Sequence, residues 1–561
     1  MAVDADAPRR TLSAAIRPVP LHRRLYGFGS IYGKTIRDSR LAFIIAAGML
    51  AGLTFALGAA IPSVFPTAEA RHEIDTLIGG MPASMVNLFG KPDGLGTFGG
   101  YLSWKYGATF ALGAALWSIL ALSGTLAGEA GRGSLDFVAV TPFGKRRIAL
   151  EKLAGHLTML VIALLLLAVS VTISSNVYGN PSLGDPVPPL GAIGFALWVG
   201  FIALFFGGLA LALSPILGRA GSAGVAALAM IVLWVTNGLE ILGPVATLSP
   251  FHWTHDHIAL IGEYDWAGLA LVGLVALAFL AIGIELFARR DLGITAGLGL
   301  PTLPADVLGV RGPVSRAFGE QLPRALAWGI GLFVFGALLA SIVKSMTAQL
   351  ANDPSLVGAF EVVFPNFDLA SAGGFLQLYA QLFYIAAGFA GATFVSKWAS
   401  DETGGRLEAI LTTPLSRARW LVAGAVGAVV AIVVMTVLLA AGIGLGAAAG
   451  GLDASRPLVG SVALGLYSAA IVGVGFAVGG LWRTSLAAEI AALVVVATYL
   501  VDLLAPALKL PEAVHQLALT AHFGEPMVGT WDATGVVASL VILVVGVGLG
   551  AWGVRRRDIA R

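Results

Sequence analysis

A chain of 561 residues that is 57% hydrophobic, only 12% charged and close to neutral at +2 cannot solvate its own surface, because soluble domains carry about 25% charged residues. The excess apolar area must face lipid, which makes the chain an integral membrane protein and excludes a soluble enzyme or binding module. With no cysteine, disulfides, thiolate metal sites and cysteine nucleophiles are excluded as well, whereas 73 glycines suit close helix contact in lipid.

The first forty residues are polar and basic, and a cleavable signal peptide would place its apolar core nearer the start. Residues 1–20 read as a cytosolic tail, and Leu21–Arg40 as an amphipathic helix lying on the membrane surface. Within that stretch, Gly27 to Thr35 superficially approaches a phosphate-binding loop. Phe28 stands where the first glycine is required, and no strand precedes it.

A span needs about 20 apolar residues to cross ~30 Å of hydrocarbon. By that ruler six spans are expected near 41–62, 104–127, 153–174, 191–216, 222–243 and 267–288. Six more are expected near 325–345, 375–398, 420–446, 458–481, 485–506 and 533–554. Prolines 301, 304, 313 and 323 mark a linker between the halves, and Val314–Glu320 reads as a second surface helix. The expected organisation is a tail over 1–20, a first half over 21–290, a cytosolic linker over 291–312 and a second half over 313–561.

Lys and Arg collect on one side of this layout, at Lys145–Arg147, Lys152, Arg219, Arg289, Arg290, Arg406, Arg417, Arg419, Arg483 and Arg555–Arg557. Loops 175–190, 246–266 and 346–374 hold none. The positive-inside rule then puts the basic side and both termini in the cytosol. The fold expected is an all-α polytopic membrane protein made of two parallel six-helix repeats, with cytosolic and surface helices attached.

Two charged segments repeat within this apolar chain, GEAGRGSLDFVAVTPFGKRR and SDETGGRLEAILTTPLSRAR. Leu135 pairs with Leu407, Asp136 with Glu408, Thr141 with Thr413 and Pro142 with Pro414, all at an offset of 272 residues. Arg289-Arg290-Asp291 and Arg556-Arg557-Asp558 also correspond, as do the turns Leu217-Gly218-Arg219 and Leu481-Trp482-Arg483. Each charged segment runs from acid and glycine through a short helical stretch to Thr-Pro, where proline ends the helix, and then to a basic cluster. Such a helix offers Leu135, Phe137 and Val138, or Leu407, Ile410 and Leu411, to another protein. The plainer reading is an amphipathic loop resting on lipid headgroups.

ETGGRLEAILTTPLSRARWLVAG resembles the loop between the second and third spans of type-2 ATP-binding-cassette exporter permeases, with GSLDFVAVTPFGKRR a weaker copy. The fused twelve-span layout is similar to actinobacterial permeases that export polyketide antibiotics or multiple drugs. The resemblance implies that each segment is a coupling helix seated on one of two copies of a separate ATPase, which would hold the ATP and magnesium. The residues carried over by position are Glu129, Gly133, Leu135, Asp136, Thr141, Pro142 and Lys145, with Asp401, Glu402, Gly405, Leu407, Glu408, Thr413, Pro414 and Arg417 as counterparts. It implies no catalytic residue and no cofactor bound by this chain, a location in the bacterial cell membrane, hydrophobic or amphipathic cargo such as antibiotics, drugs or lipids, and no nucleic-acid partner.

Charges inside the spans are few. Glu240 and Asp502 stand at the outer ends of the two fifth spans, as an outer gate or as residues snorkelling to the interface. His252, His255 and His257 are spaced to bind a metal, but the second half does not repeat them, so no metal is expected and the loop reads as short re-entrant helices. Phe110, Trp117, Trp198, Phe206, Trp234, Phe335, Tyr379 and Phe383 either line a cavity for an apolar cargo or simply pack. Two other function classes remain. One is a gradient-driven transporter with twelve spans, which needs ionisable residues in the membrane; the other is a membrane enzyme, which needs clustered carboxylates or histidines.

Overall fold

The computed structural model describes residues 29–64, 66–79, 89–129, 144–238, 243–289, 312–352, 372–507 and 511–558. Twelve long helices dominate it. In the first half they are α1 (Ile31–Val64), α2 (Gly107–Ser123), α3 (Lys145–Tyr178), α4 (Pro189–Arg219), α5 (Gly221–Asn237) and α6 (Trp266–Arg289). The second half holds α7 (Pro313–Asn352), α8 (Ala380–Thr403), α9 (Arg417–Gly450), α10 (Ser455–Leu481), α11 (Thr484–Ala507) and α12 (Ala533–Arg556). One antiparallel pair of two-residue strands, Gly524–Glu525 and Thr530–Trp531, is the sole sheet among the described residues.

Ten helices are long and apolar enough to cross a bilayer; α5 and α8 are the two exceptions. α5 is a 17-residue apolar helix. α8 is diluted by Gln381, Thr393 and Lys397, which it can carry because α7, α10 and α11 wrap it and spare it from lipid. α4 and α5 run almost end to end and turn at Gly218, where φ +68° and ψ −177° suit glycine alone.

The packing repeats from one half to the other. α1 lies on α3 as α7 lies on α9, and α2 meets the α4–α5 pair as α8 meets α10 and α11. α6 packs on α4 as α12 packs on α10. The halves join twice in the same manner, with α7 against α5 and α1 against α11. That reciprocity is what a parallel duplication about a central axis produces.

The two expected surface helices are instead the first turns of spanning helices. Ile31–Arg40 runs without a break into α1, and Val314–Glu320 is the start of α7. A collinear helix keeps its backbone hydrogen bonds through the turn, which a helix folding down onto the membrane would break. The part over 21–28 lies outside the described residues.

Small residues set the closest contacts. Gly442 and Gly446 of α9 lie on the Phe333 and Ala337 carbonyls of α7, while Gly546 and Gly550 of α12 lie on those of Gly473 and Phe476 of α10. Both are Gly-x-x-x-Gly pairs, whose missing side chains let backbones approach. Gly550→Leu is therefore expected to force α10 and α12 apart, lowering the melting temperature of the purified chain by several degrees. A melt matching the parent would contradict that packing.

At the end opposite the basic cluster, a helix over Ala68–Gly79 carries Arg71 to Asp185 in the loop after α3. The Asp185 carboxylate is fully buried and accepts Nη2 of Arg71 at 2.9 Å and the amides of Phe98 at 2.9 Å and Asn180 at 2.7 Å. Burial alone would raise this carboxyl, but the Arg71 guanidinium and the two amides hold it below the usual carboxylate range.

Candidate functional site

The second charged segment is described throughout. α8 ends at Thr403, and Gly405, with φ +70°, turns the chain into a short helix over Arg406–Leu411. Thr412 and Thr413 close that helix by donating their hydroxyls to the Ala409 and Ile410 carbonyls. Pro414 bars its continuation. Ser416 then caps α9 by accepting the Arg419 amide.

Leu407 is 1% exposed, so it anchors the short helix to the bundle instead of being offered to a partner. Ile410 and Leu411 are half-buried against the same core. The exposed face consists of Glu408, Ala409, Thr412, Thr413 and Pro414.

The base of the segment is clamped by ion pairs. Asp401 accepts Nη2 of Arg316 at 3.4 Å and the Trp420 indole N–H at 3.1 Å. Arg406, beside the short helix, also reaches Asp401, at 3.5 Å. Glu402 is met by Arg557 at the end of α12, with Nη1 to Oε1 at 2.6 Å, while Arg417 of α9 donates to the Arg557 carbonyl at 2.8 Å. α7, α8, α9 and α12 are thus tied together directly beneath the short helix. Of these pairs Glu402–Arg557 is buried on both sides, so removing either charge strands the other.

The first half repeats the clamp. Glu129, which corresponds to Asp401, contacts Lys34 of α1 at 3.5 Å and the buried Lys152 of α3 at 2.6 Å. Lys34 also pairs with Asp38 four residues on, at 2.9 Å, as Arg316 pairs with Glu320 at 2.8 Å. A π-helical turn over Gly124–Gly128 precedes Glu129. Gly133, Leu135, Asp136, Thr141 and Pro142 lie outside the described residues, and Lys145 opens α3.

The eight aromatic candidates are held by ring contacts and a hydrogen bond across the bundle. Phe110 packs edge-on to Phe195, Trp117 to His156, and Phe206 against Phe251. Trp198 donates to Thr254 at 2.9 Å. Trp234, Phe335 and Phe383 form a ring contact across the seam between the halves, at 6.3 and 4.9 Å, and Tyr379 stacks on Phe89 of the first half at 6.4 Å. Along this seam the Trp234 indole N–H, the Asn237 carbonyl and the Tyr379 hydroxyl are buried without a hydrogen-bond partner.

Glu240 lies outside the described residues. Asp502 faces a cleft of about 190 Å³ and lies 3.3 Å from Nε2 of His515. A second cleft of about 380 Å³ opens at the basic end between Arg316, Lys397, Trp398, Asp401 and Trp420.

Of the three loop histidines, His257 donates Nε2 to the Gly194 carbonyl at 3.3 Å and accepts the Asp265 amide on Nδ1 at 3.2 Å. Both nitrogens are thus occupied, and no group of three possible ligands forms among the described residues. Burial pushes this imidazole below its ordinary range, against the pull of the Gly194 carbonyl. Its contribution to stability is therefore complete above about pH 6.5 and is lost as pH falls below that. His257→Gln should flatten the fall in melting temperature between pH 7 and pH 5; an unchanged slope would contradict this assignment.

Sequence reasoning missed Arg71 and the Asp185 carboxylate, and it read Lys152 only as one of the basic-side charges. It had registered the corresponding helix starts, but not that Lys34/Asp38 and Arg316/Glu320 share an offset of 282 residues, a signal that would have found the clamp.

Residues 310–555 match a family model described as the C-terminal domain of the multidrug efflux system permease Rv1217c. Over 531 residues the chain is 27% identical to the multidrug efflux system permease protein Rv1217c of Mycobacterium tuberculosis (strain ATCC 25618 / H37Rv), covering 89% of each. Both likenesses are to a membrane permease of an efflux system, in keeping with a multi-pass transport protein and not with a catalytic enzyme.

Proposed function

We propose that this chain is the permease subunit of an ATP-driven exporter of hydrophobic or amphipathic compounds. Its basic end faces the cytosol of a bacterial cell, and two copies of a separate ATPase dock there, one on each charged segment. The observation that carries this reading is the clamp present in both halves, Glu129 with Lys34 and Asp401 with Arg316. A loop resting on headgroups has no need for its base to be bonded to the helices that form the seam.

Force applied to the exposed face around Glu408 has a short route inward. It passes through Leu407 and the Asp401–Arg316 pair to α7, and through Glu402–Arg557 to α12. α7 packs on α5, so its displacement moves the seam between the halves. The orphaned polar atoms of Trp234, Asn237 and Tyr379 are the groups that gain partners when that seam opens to water or cargo. Export then requires the cargo to bind the inward-open state more tightly than the outward-open one.

The test is co-purification of the full chain with a co-expressed candidate ATPase. Two ATPase copies per chain are expected, and Glu408→Arg should lower that to about one, because a reversed charge at one interface repels its partner while the first charged segment still docks. Undiminished capture by this variant, or a wild-type chain that captures no ATPase, would contradict the reading. Leu407 is unsuited to this experiment, because its substitution disturbs the chain's own packing.

A further inference from the structure

We propose that the cleft bounded by Tyr384, Tyr467, Tyr499 and Asp502 binds the positively charged head of an organic cation, a quaternary or protonated amine. The assignment of that cation as cargo rests on the exporter reading; the site itself does not.

Three observations carry the proposal. The first is the odd pairing of Asp502. Four carboxylates with side chains no more than 14% exposed each have a Lys or Arg partner: Asp185 with Arg71, Glu129 with Lys152, Asp401 with Arg316 and Glu402 with Arg557. Asp502, with a side chain only 15% exposed, faces His515, Thr520 and Gln381 and, among the described residues, no Lys or Arg. A carboxyl group in an apolar bundle without a fixed cation is held neutral by a proton until a mobile cation takes the proton's place.

The second observation is the arrangement of rings around it. Tyr384 and Tyr467 meet edge to face with centroids 5.5 Å apart, and Tyr499 lies three residues before Asp502 on the same face of α11. The Tyr467 hydroxyl bonds to Thr498 at 2.8 Å, and Tyr384 is backed by Phe523 at 5.6 Å, so two of the rings are held in place. Aromatic faces attract a cation through their quadrupole, most strongly where water is excluded. Rings combined with a carboxylate select positive charge over a neutral molecule of equal shape.

The third observation is that the duplication does not repeat the cage. By the offset of 272 residues Tyr384 falls on Leu112, and by the offset of 264 that relates the turns at Arg219 and Arg483 Tyr467 and Tyr499 fall on Ala203 and Val235, so the first half has no tyrosine at any of the three positions. The fold is therefore built twice but needs the tyrosines only once. Packing alone does not account for a cluster that its structural twin lacks.

The experiment is equilibrium binding of radiolabelled tetraethylammonium to the purified full chain in nanodiscs of phosphatidylethanolamine and phosphatidylglycerol, without ATP or ATPase. Saturable binding is expected, with the neutral carbon analogue 3,3-diethylpentane failing to displace it. Asp502→Asn and Tyr384→Leu should each weaken binding about tenfold or more. Asp502→Glu and Tyr384→Phe, which keep the charge or the ring, should stay within about threefold. If Asp502→Asn fails to fold, Tyr499→Leu against Tyr499→Phe carries the same comparison. No saturable binding by the wild type, or equal binding by Asp502→Asn, would overturn the proposal and leave the Asp502–His515 contact as purely structural. A chain that binds the cation yet shows no ATP-dependent export keeps this site and loses the exporter reading.

Discussion

Asp185→Ala is expected to cost the folded chain about 3–5 kcal/mol, because it leaves the Arg71 guanidinium buried without its counter-charge. Arg71 and Asp185 are 6% and 0% exposed at the side chain, so water cannot replace the lost partner. The Phe98 and Asn180 amides lose their acceptor in the same step. Arg71→Leu alone should also destabilise, whereas the double variant Arg71→Leu/Asp185→Leu should lie closer to the parent than either single change. Thermal unfolding of the purified protein measures this, and additive losses in the double variant would show that the pair does not act as a unit. Asp185 is held below the usual carboxylate range, so its contribution is complete above about pH 4 and is lost as pH falls further.

Glu402→Gln is expected to abolish export, at least tenfold at matched protein level, while the helices still insert. The pair with Arg557 is buried on both sides, with side chains 1% and 12% exposed, and it ties the end of α8 to the end of α12. Removing one charge strands the other at the joint through which motion is argued to travel. The exchange Glu402→Arg/Arg557→Glu should recover part of the activity, because the attraction survives the swap. Full export by Glu402→Gln, measured as dye accumulation in inverted vesicles, would remove this pair from the transmission route.

How much of this was legible in the sequence depended on the range of the interaction. The twelve helices follow from runs of apolar residues, which are local, and the repeat follows from the Thr-Pro segments and basic turns. Gly218 was read correctly as part of a turn, because the charge beside it interrupts an apolar run. Leu407 was misjudged. Its apolar character showed that it would be hidden from water, but only the packing of α8 and α9 decides whether this chain or a partner hides it. Arg71 and Asp185 are 114 residues apart, and no periodicity links them. The aromatic candidates were read as lining a cavity or packing, and the ring contacts that join Trp234 to Phe335 and Phe335 to Phe383 are visible only in the fold. The cage around Asp502 emerges only when α8, α10 and α11 are brought together. The surface helices were inferred from their polarity, whereas one helix carries each of them into α1 or α7, with a backbone hydrogen bond missing in α7 at Pro323.

The most direct measurement is accumulation of a fluorescent amphipathic dye in inverted vesicles that contain the chain with or without the proposed ATPase. Accumulation is expected only with the ATPase and ATP together, and it should vanish with Glu408→Arg while the protein remains in the membrane. Accumulation that an ion gradient drives in the absence of any ATPase would contradict the account.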